Sequence, residues 1–256
     1  MPSNSMRNTI TPKSLPLLPL NIGLVSIFSL LSHAQTNKQE ILISPSQKGT
    51  KLDHFFFDLK SPGAPKKFNK PWAQKLLIEY KFNGLRTSIY GTNIKPSHPK
   101  AGVVIKQHYA QETKALKLAK SLNPKVLIFA SKKLKGPESF PSWVKDKNGV
   151  IPKQYAILLV DYLAFMKSEG LPVDILGIDN ERSFNEGNIM PHTHREIVKE
   201  LRILTKSRKL TMPKIIGHED YTMGRNDWMN KYKEIGADTL DIFGGHYYPH
   251  ARRLTA

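Results

Sequence analysis

The chain has 256 residues, of which 39 are Lys or Arg and 21 are Asp or Glu, giving a formal net charge of +18, and it contains no cysteine. A chain of this length can bury a proper core in one large domain or two small ones without covalent staples. The lack of thiols excludes a disulfide scaffold, cysteine-ligated zinc, an iron–sulfur centre, a cysteine nucleophile and an acyl-cysteine anchor. So basic a balance suits a polyanionic partner, whether nucleic acid, anionic lipid or acidic polysaccharide, without choosing among them.

Residues 1–34 carry Arg7 and Lys13 and no acid, then an apolar run from Leu20 to Leu31, then Ser32-His33-Ala34. A positive flank, a short apolar run and small residues before a cut read as a secretory signal cleaved after Ala34, so export to the medium or the periplasm is expected. The run falls short of the roughly 18 to 20 apolar residues that a spanning helix requires. No later stretch is longer, so no transmembrane segment is expected after cleavage. Removing residues 1–34 takes away only Arg7 and Lys13, so the basic character belongs to the remainder, residues 35–256.

In residues 35–70, Glu40-Ile41-Leu42-Ile43 and Phe55-Phe56-Phe57 are strand-like, and this region is expected to hold the first strand. From Pro71, a favourable helix start, Trp72, Leu76, Leu77 and Tyr80 lie on one helical face. Leu85 to Tyr90 is the second strand. A helix with Ala115, Leu118, Ala119 and Leu122 inward leads to the third, Val126 to Ala130. The next helix carries Tyr155, Leu158, Leu159, Tyr162, Leu163 and Met166 on one stripe and stops at Gly170; its strand is Val173 to Ile178. Thr193 to Glu196 has capping-box spacing ahead of a helix bearing Ile197, Leu201 and Leu204. Lys214 to Gly217, a helix around Trp228 to Ile235, and Leu240 to Gly244 complete the series.

Strands that are apolar runs, each joined to the next by a helix, imply parallel strands buried on both faces, hence an α/β fold. A doubly wound sheet and a (β/α)8 barrel both satisfy that rhythm. There is no Gly-x-Gly-x-x-Gly after a first strand and no Walker-type loop, so the nucleotide-binding open sheet has no support. Polar residues stand repeatedly at strand ends: Arg86 within the second, Ser131 after the third, Asn180 and Glu181 after the fourth, His218, Glu219 and Asp220 after the fifth, His246, Tyr247 and Tyr248 after the sixth. Convergence of such residues on one mouth is the property of a barrel, which is therefore favoured.

A carboxyl at a barrel mouth can serve as a general acid where its neighbours hold its pKa up, and Asn180 beside Glu181 can bind a substrate hydroxyl. Arg86 inside an apolar strand needs a partner; it orients a carboxylate at the mouth or forms a structural ion pair, and the two are compatible. Trp143 offers a flat platform for a sugar face or packs a loop. Glu219 is a second carboxylate in the site or a loop ion pair. His246 and His250, with His192 and His194, lack a carboxylate at a recognised ligand spacing, so neither a metal nor another cofactor is expected. Aromatics interleaved along a basic stripe are not evident, so no nucleic-acid partner is expected.

These segments, in this order, resemble the clan A glycoside hydrolases and most closely family 30, which includes xylanases, glucosylceramidases and galactanases. Phe140-Pro141-Ser142-Trp143-Val144-Lys145 is similar to the family's Pro-Pro-x-Trp-Met-Lys segment, and Tyr162 to Val173 to its helix and Glu-Gly-Ile-Pro-Ile turn. Ile178-Asp179-Asn180-Glu181 is similar to its Gln-Asn-Glu-Pro acid/base motif, Ile215-Ile216-Gly217-His218-Glu219 to an Ile-Ile-x-Pro-Glu strand, and Gly245-His246-Tyr247-Tyr248 to the His-x-Tyr after the sixth strand. The resemblance covers about residues 84–250. It implies an exported, retaining hydrolase of polysaccharides or oligosaccharides with Glu181 as acid/base, Asn180 on the sugar 2-hydroxyl, Arg86 near the carboxylates, and Trp143, His246 and Tyr248 lining sugar subsites.

Arg182 stands where the family has Pro, and Ala130-Ser131-Lys132-Lys133 replaces its Trp-Ser-Pro-Pro, which alters the subsite beside the third strand. The family's nucleophile is a Glu after the seventh strand, whereas this chain stops at Ala256, a few residues past the sixth. The expectation is a barrel lacking two strands, with unpaired edges, and with the nucleophile beyond the C-terminus. A carbohydrate-binding remnant without activity and a basic extracellular polyanion binder are the alternatives.

Overall fold

The computed structural model describes residues 53–61, 63–89, 96–132, 140–181, 189–220, 230–234 and 237–246. The expected signal sequence, the strand expected at Glu40 to Ile43, Trp228 and Tyr248 lie outside them.

Six strands form one parallel sheet: β1 (Phe56–Asp58), β2 (Gly84–Ser88), β3 (Leu127–Ser131), β6 (Ile175–Gly177), β7 (Lys214–Asp220) and β8 (Ile242–Gly245). β4 (Lys145–Asp146) and β5 (Gly149–Val150) form a separate antiparallel hairpin. The large sheet runs β1-β2-β3-β6-β7-β8, every neighbour parallel and every strand beside the one before it in sequence. A doubly wound sheet reverses its order at a switch point; this one never reverses. It is a curled sheet with six of the strands of a (β/α)8 barrel, the fold class expected from the sequence.

The helices between strands are α1 (Ala64–Phe68), α2 (Pro71–Ile78), α3 (Ala110–Leu122), α4 (Pro152–Ser168) and α5 (Pro191–Ser207). None of the described helices is long and apolar enough to cross a membrane. Their apolar stripes cover the outer face of the sheet, where Leu85, Ile128, Leu176 and Ile215 are fully buried and stand side by side in register or one residue-pair apart. The α4 stripe is buried as its spacing predicts, Tyr155, Leu158, Leu159, Tyr162, Leu163 and Met166 all facing the core. After α4, Gly170 takes φ 74°, and the Leu171 N–H donates back to Met166 at 2.9 Å, a turn that a side chain at 170 would strain.

Two expectations are corrected. Trp72 and Tyr80 are 56 % and 65 % exposed, while Ala73 and Leu77 are buried. Helix α2 ends at Ile78, so Tyr80 is off the helix, and Trp72 sits about 100° round from Ala73. Thr193 caps nothing: α5 begins at Pro191 after Met190 in extended conformation, because proline pre-sets the first helical φ. The β4–β5 hairpin and the five-residue α1 are too short to leave a periodic signal.

The strand starts are pinned by a repeated device. Asp174, just before β6, receives the Ile128 N–H of β3 on its carboxylate at 2.8 Å and donates its own N–H to the Ile128 carbonyl at 2.9 Å. Asp241, just before β8, does the same to Ile215 of β7, at 2.7 and 2.9 Å. The Val-Asp-Ile and Leu-Asp-Ile segments thus fix register by a side chain where the backbone ladder has not yet begun.

Candidate functional site

The polar groups gather at the C-terminal ends of the strands. In register, Asp58, Arg86 and Phe129 lie side by side on the inner face, as do Ser131, Gly177 and Ile216 one step further on. Arg86 lies over the Phe129 ring, 5.3 Å from its centroid. Its Nη2 donates to Asn180 Oδ1 at 2.6 Å and to Ser131 Oγ at 3.1 Å, and stands 3.7 Å from Glu219 Oε1. Its Nη1 is 3.5 Å from Asp58. The costly charge of a strand arginine is thereby shared among four oxygen-bearing side chains.

Glu219 reaches this cluster through a bulge. Ile216 shares the inner face with Gly177, so strict alternation turns position 219 outward. The register of β7 against β8 slips between positions 218 and 220, and Glu219 takes φ 24°, which swings its side chain inward. The residue is 3 % exposed. Oε1 accepts from Ser131 Oγ at 3.3 Å, and Oε2 rests against Gly177, where a Cβ would collide with it. Burial pushes the Glu219 pKa up to about 7 against the opposing pull of Arg86 and Lys60.

Glu181 follows β6 with φ 47°; its N–H donates to the Glu219 carbonyl at 2.6 Å, and the residue is 6 % exposed. Oε1 lies 3.3 Å from His246 Nδ1, just past β8. Burial, reinforced by the Arg86 charge, lowers the His246 pKa to about 4, so near neutrality the imidazole is uncharged. With its proton on Nδ1 it donates a hydrogen bond to the carboxyl rather than an ion pair. Arg86, Phe129, Ile216, Glu219, Gly244, Gly245 and His246 enclose a cleft of about 220 Å³.

Of the residues expected from the sequence, Arg86, Asn180, Glu181, Glu219 and His246 are brought together. Trp143 is placed elsewhere: its indole N–H donates to the His98 carbonyl at 2.9 Å and its ring is half-buried against the core. Three further charged groups were not among the expected site residues. Asp58 ends β1 beside Arg86. Lys60, two residues later, donates to Asn180 Oδ1 at 2.7 Å, the Lys132 carbonyl at 2.8 Å and Ser131 Oγ at 3.2 Å; burial, with Arg86 nearby, lowers its pKa to about 7. Lys132 is fully buried, its ammonium 4.2 Å from the Phe140 ring centroid and 4.0 Å from Asp179. In a chain with 39 basic residues, lysines at strand ends carry no mark of their own; the available signal was their place immediately after β1 and β3.

No protein-family model matches the chain, and no curated protein matches it. Solved structures do. SrfJ from Salmonella typhimurium superposes with a TM-score of 0.65 at 18 % identity, over 78 % of this chain and 51 % of its own. An endo-beta1,6-glucanase gives 0.61 at 16 %, over 80 % and 54 %. The catalytic domain of a GH30 xylanase C from Talaromyces cellulolyticus gives 0.58 at 18 %, over 76 % and 52 %. The chain spans about half the length of these structures. Over that span the chain shares the barrel fold of these structures.

Proposed function

We propose that the chain acts on polysaccharide or oligosaccharide as a glycoside hydrolase, with Glu181 as general acid/base. One observation carries this reading: Glu181, Asn180, Arg86, Glu219 and His246, from four strands, meet at the C-terminal mouth, where barrel enzymes hold their chemistry. The neutral His246 holds one carboxyl oxygen of Glu181, and Asn180 is assigned to the sugar 2-hydroxyl. Arg86 orders Asn180 and Glu219. Tyr248 is assigned to an outer sugar subsite. Retaining hydrolysis takes a second carboxyl about 5 to 5.5 Å from the first, and the proposal assigns it to a residue other than Glu219, whose oxygens are turned to Ser131, Arg86 and Gly177.

The test is turnover of a panel of aryl glycosides and polysaccharides by the full chain beside Glu181→Gln. Loss of about 100-fold or more in kcat is expected for an acid/base; equal turnover removes Glu181 from the mechanism. Export rests on the N-terminal pattern, and N-terminal sequencing of the secreted protein is expected to begin at Gln35. The inward disposition of Glu219 favours one second reading, sugar binding without hydrolysis. It predicts a measurable sugar Kd that Glu181→Gln leaves in place and no product at any protein concentration.

A further inference from the structure

The Asn180 amide oxygen accepts from two donors at once, Arg86 Nη2 at 2.6 Å and Lys60 Nζ at 2.7 Å. An amide oxygen has two lone pairs, so both are taken. The amide group cannot then turn over without setting its NH2 against two N–H donors, and Nδ2 is held on the side away from them. Arg86 alone would fix this less firmly, because the same guanidinium is drawn to Ser131, Glu219 and Asp58. Lys60 has a firm base of its own: its Nζ also donates to the Lys132 carbonyl at 2.8 Å and to Ser131 Oγ at 3.2 Å. It reaches them from β1, at the far side of β2 and β3 from Asn180, and so ties the ends of β1 and β3 to the residue beside Glu181.

We infer that Lys60 is a positioning residue, which with Arg86 clamps the Asn180 amide oxygen so that Nδ2 is presented as a donor to the substrate hydroxyl. Two hydrogen bonds to the oxygen also polarise the amide and strengthen Nδ2–H as a donor. The inference rests on the proposed contact between Asn180 and the sugar 2-hydroxyl, and it adds a residue and a direction to it.

The experiment has two arms, both on the full chain. In the first, ¹⁵N-labelled wild type and Lys60→Met are compared through the Asn180 side-chain NH2 resonances, assigned by their loss in Asn180→Asp. The clamp predicts displaced, exchange-broadened or duplicated Asn180 signals in Lys60→Met; unchanged signals overturn it. In the second, dinitrophenyl glycosides of glucose, xylose and galactose are compared with their 2-deoxy counterparts. Lys60→Met is expected to lose about 10-fold to 100-fold in kcat/KM on the 2-hydroxy substrates, the size of effect an orienting partner has, and less than about 3-fold on the 2-deoxy ones. Equal losses on both overturn the clamp, since a general structural defect does not distinguish them. If wild type turns over none of the panel, the hydrolase reading fails, and the resonance arm by itself decides the clamp. If Lys60→Met does not fold, Lys60→Gln carries both arms.

Discussion

The N–H of Glu181 donates to the carbonyl of Glu219 at 2.6 Å, joining two acidic residues that both hold left-handed backbone angles, 47° and 24°. Such angles are uncommon for residues with a side chain and persist where surrounding structure imposes them. Here the end of β6 and the bulge of β7 impose them on each other. The bulge also buries the Glu219 carboxyl, raising its pKa to about 7 from an ordinary 4.5. A raised folded-state pKa means the native state binds the proton more tightly, so this group's contribution to stability is full below about 4.5 and is lost as pH rises to about 7. Glu219→Gln is therefore expected to gain stability relative to wild type across that interval, on the order of 1 to 3 kcal/mol, measured by urea unfolding at a series of pH values. A difference that does not change with pH would remove the buried proton.

Gly177 makes room for the Glu219 carboxyl. In Gly177→Ala the carboxyl end, which is the movable partner, must leave Ser131 and Arg86. The fold is expected to lose only about 1 kcal/mol, while turnover or sugar affinity falls by about 10-fold or more. A thermal melt beside a kinetic assay separates the two effects.

Arg86 uses its planar fork on Asn180, Ser131 and Asp58 and its face on Phe129. Lysine keeps the charge but neither the fork nor the stacking. Arg86→Lys is expected to lower kcat/KM by about 10-fold to 100-fold. Activity close to wild type would mean that charge alone suffices at this position.

His98 is buried against Tyr109, with Nε2 2.7 Å from the phenol oxygen, and burial lowers its pKa from 6.5 to about 4. The unfolded chain then takes up a proton that the native state refuses, so stability is full above about 6.5 and declines as pH falls towards about 4. Wild type is expected to lose on the order of 1 to 3 kcal/mol more than His98→Gln over that range. Parallel pH profiles for the two proteins would contradict this.

Asp241 and Asp174 each serve a neighbouring strand with one carboxylate and one N–H. Alanine at either position leaves a backbone N–H of β7 or β3 without its acceptor, a loss of about 1 to 3 kcal/mol. Asparagine keeps an acceptor oxygen and is expected to retain most of it. Chemical denaturation of the four variants gives the comparison.

Much of this architecture was legible in the sequence because burial leaves a period. The α4 stripe from Tyr155 to Met166 and the apolar segments of β2, β3, β6 and β7 lie where they were read, with ends displaced by a few residues and β7 running on to Asp220, since a strand with buried faces is rich in apolar residues. The positions of Asn180 and Glu181 followed from the end of an apolar run. The Trp72 and Tyr80 expectation failed because two apolar residues at helical spacing do not reveal where the helix ends.

What the residues alone determined is the alternation of strands and helices, and which polar groups stand at strand ends. The tertiary structure decided the strand order, without reversal, and with it which ends become neighbours. It also decided the bulge that turns Glu219 inward and the reach of Lys60 across two strands to Asn180. The reason is physical: periodicity records whether a residue is buried against its own layer, a local property. Hydrogen bonds such as those from Lys60 and Arg86 to one amide oxygen join residues 120 and 94 positions apart, and no local pattern encodes a separation of that length.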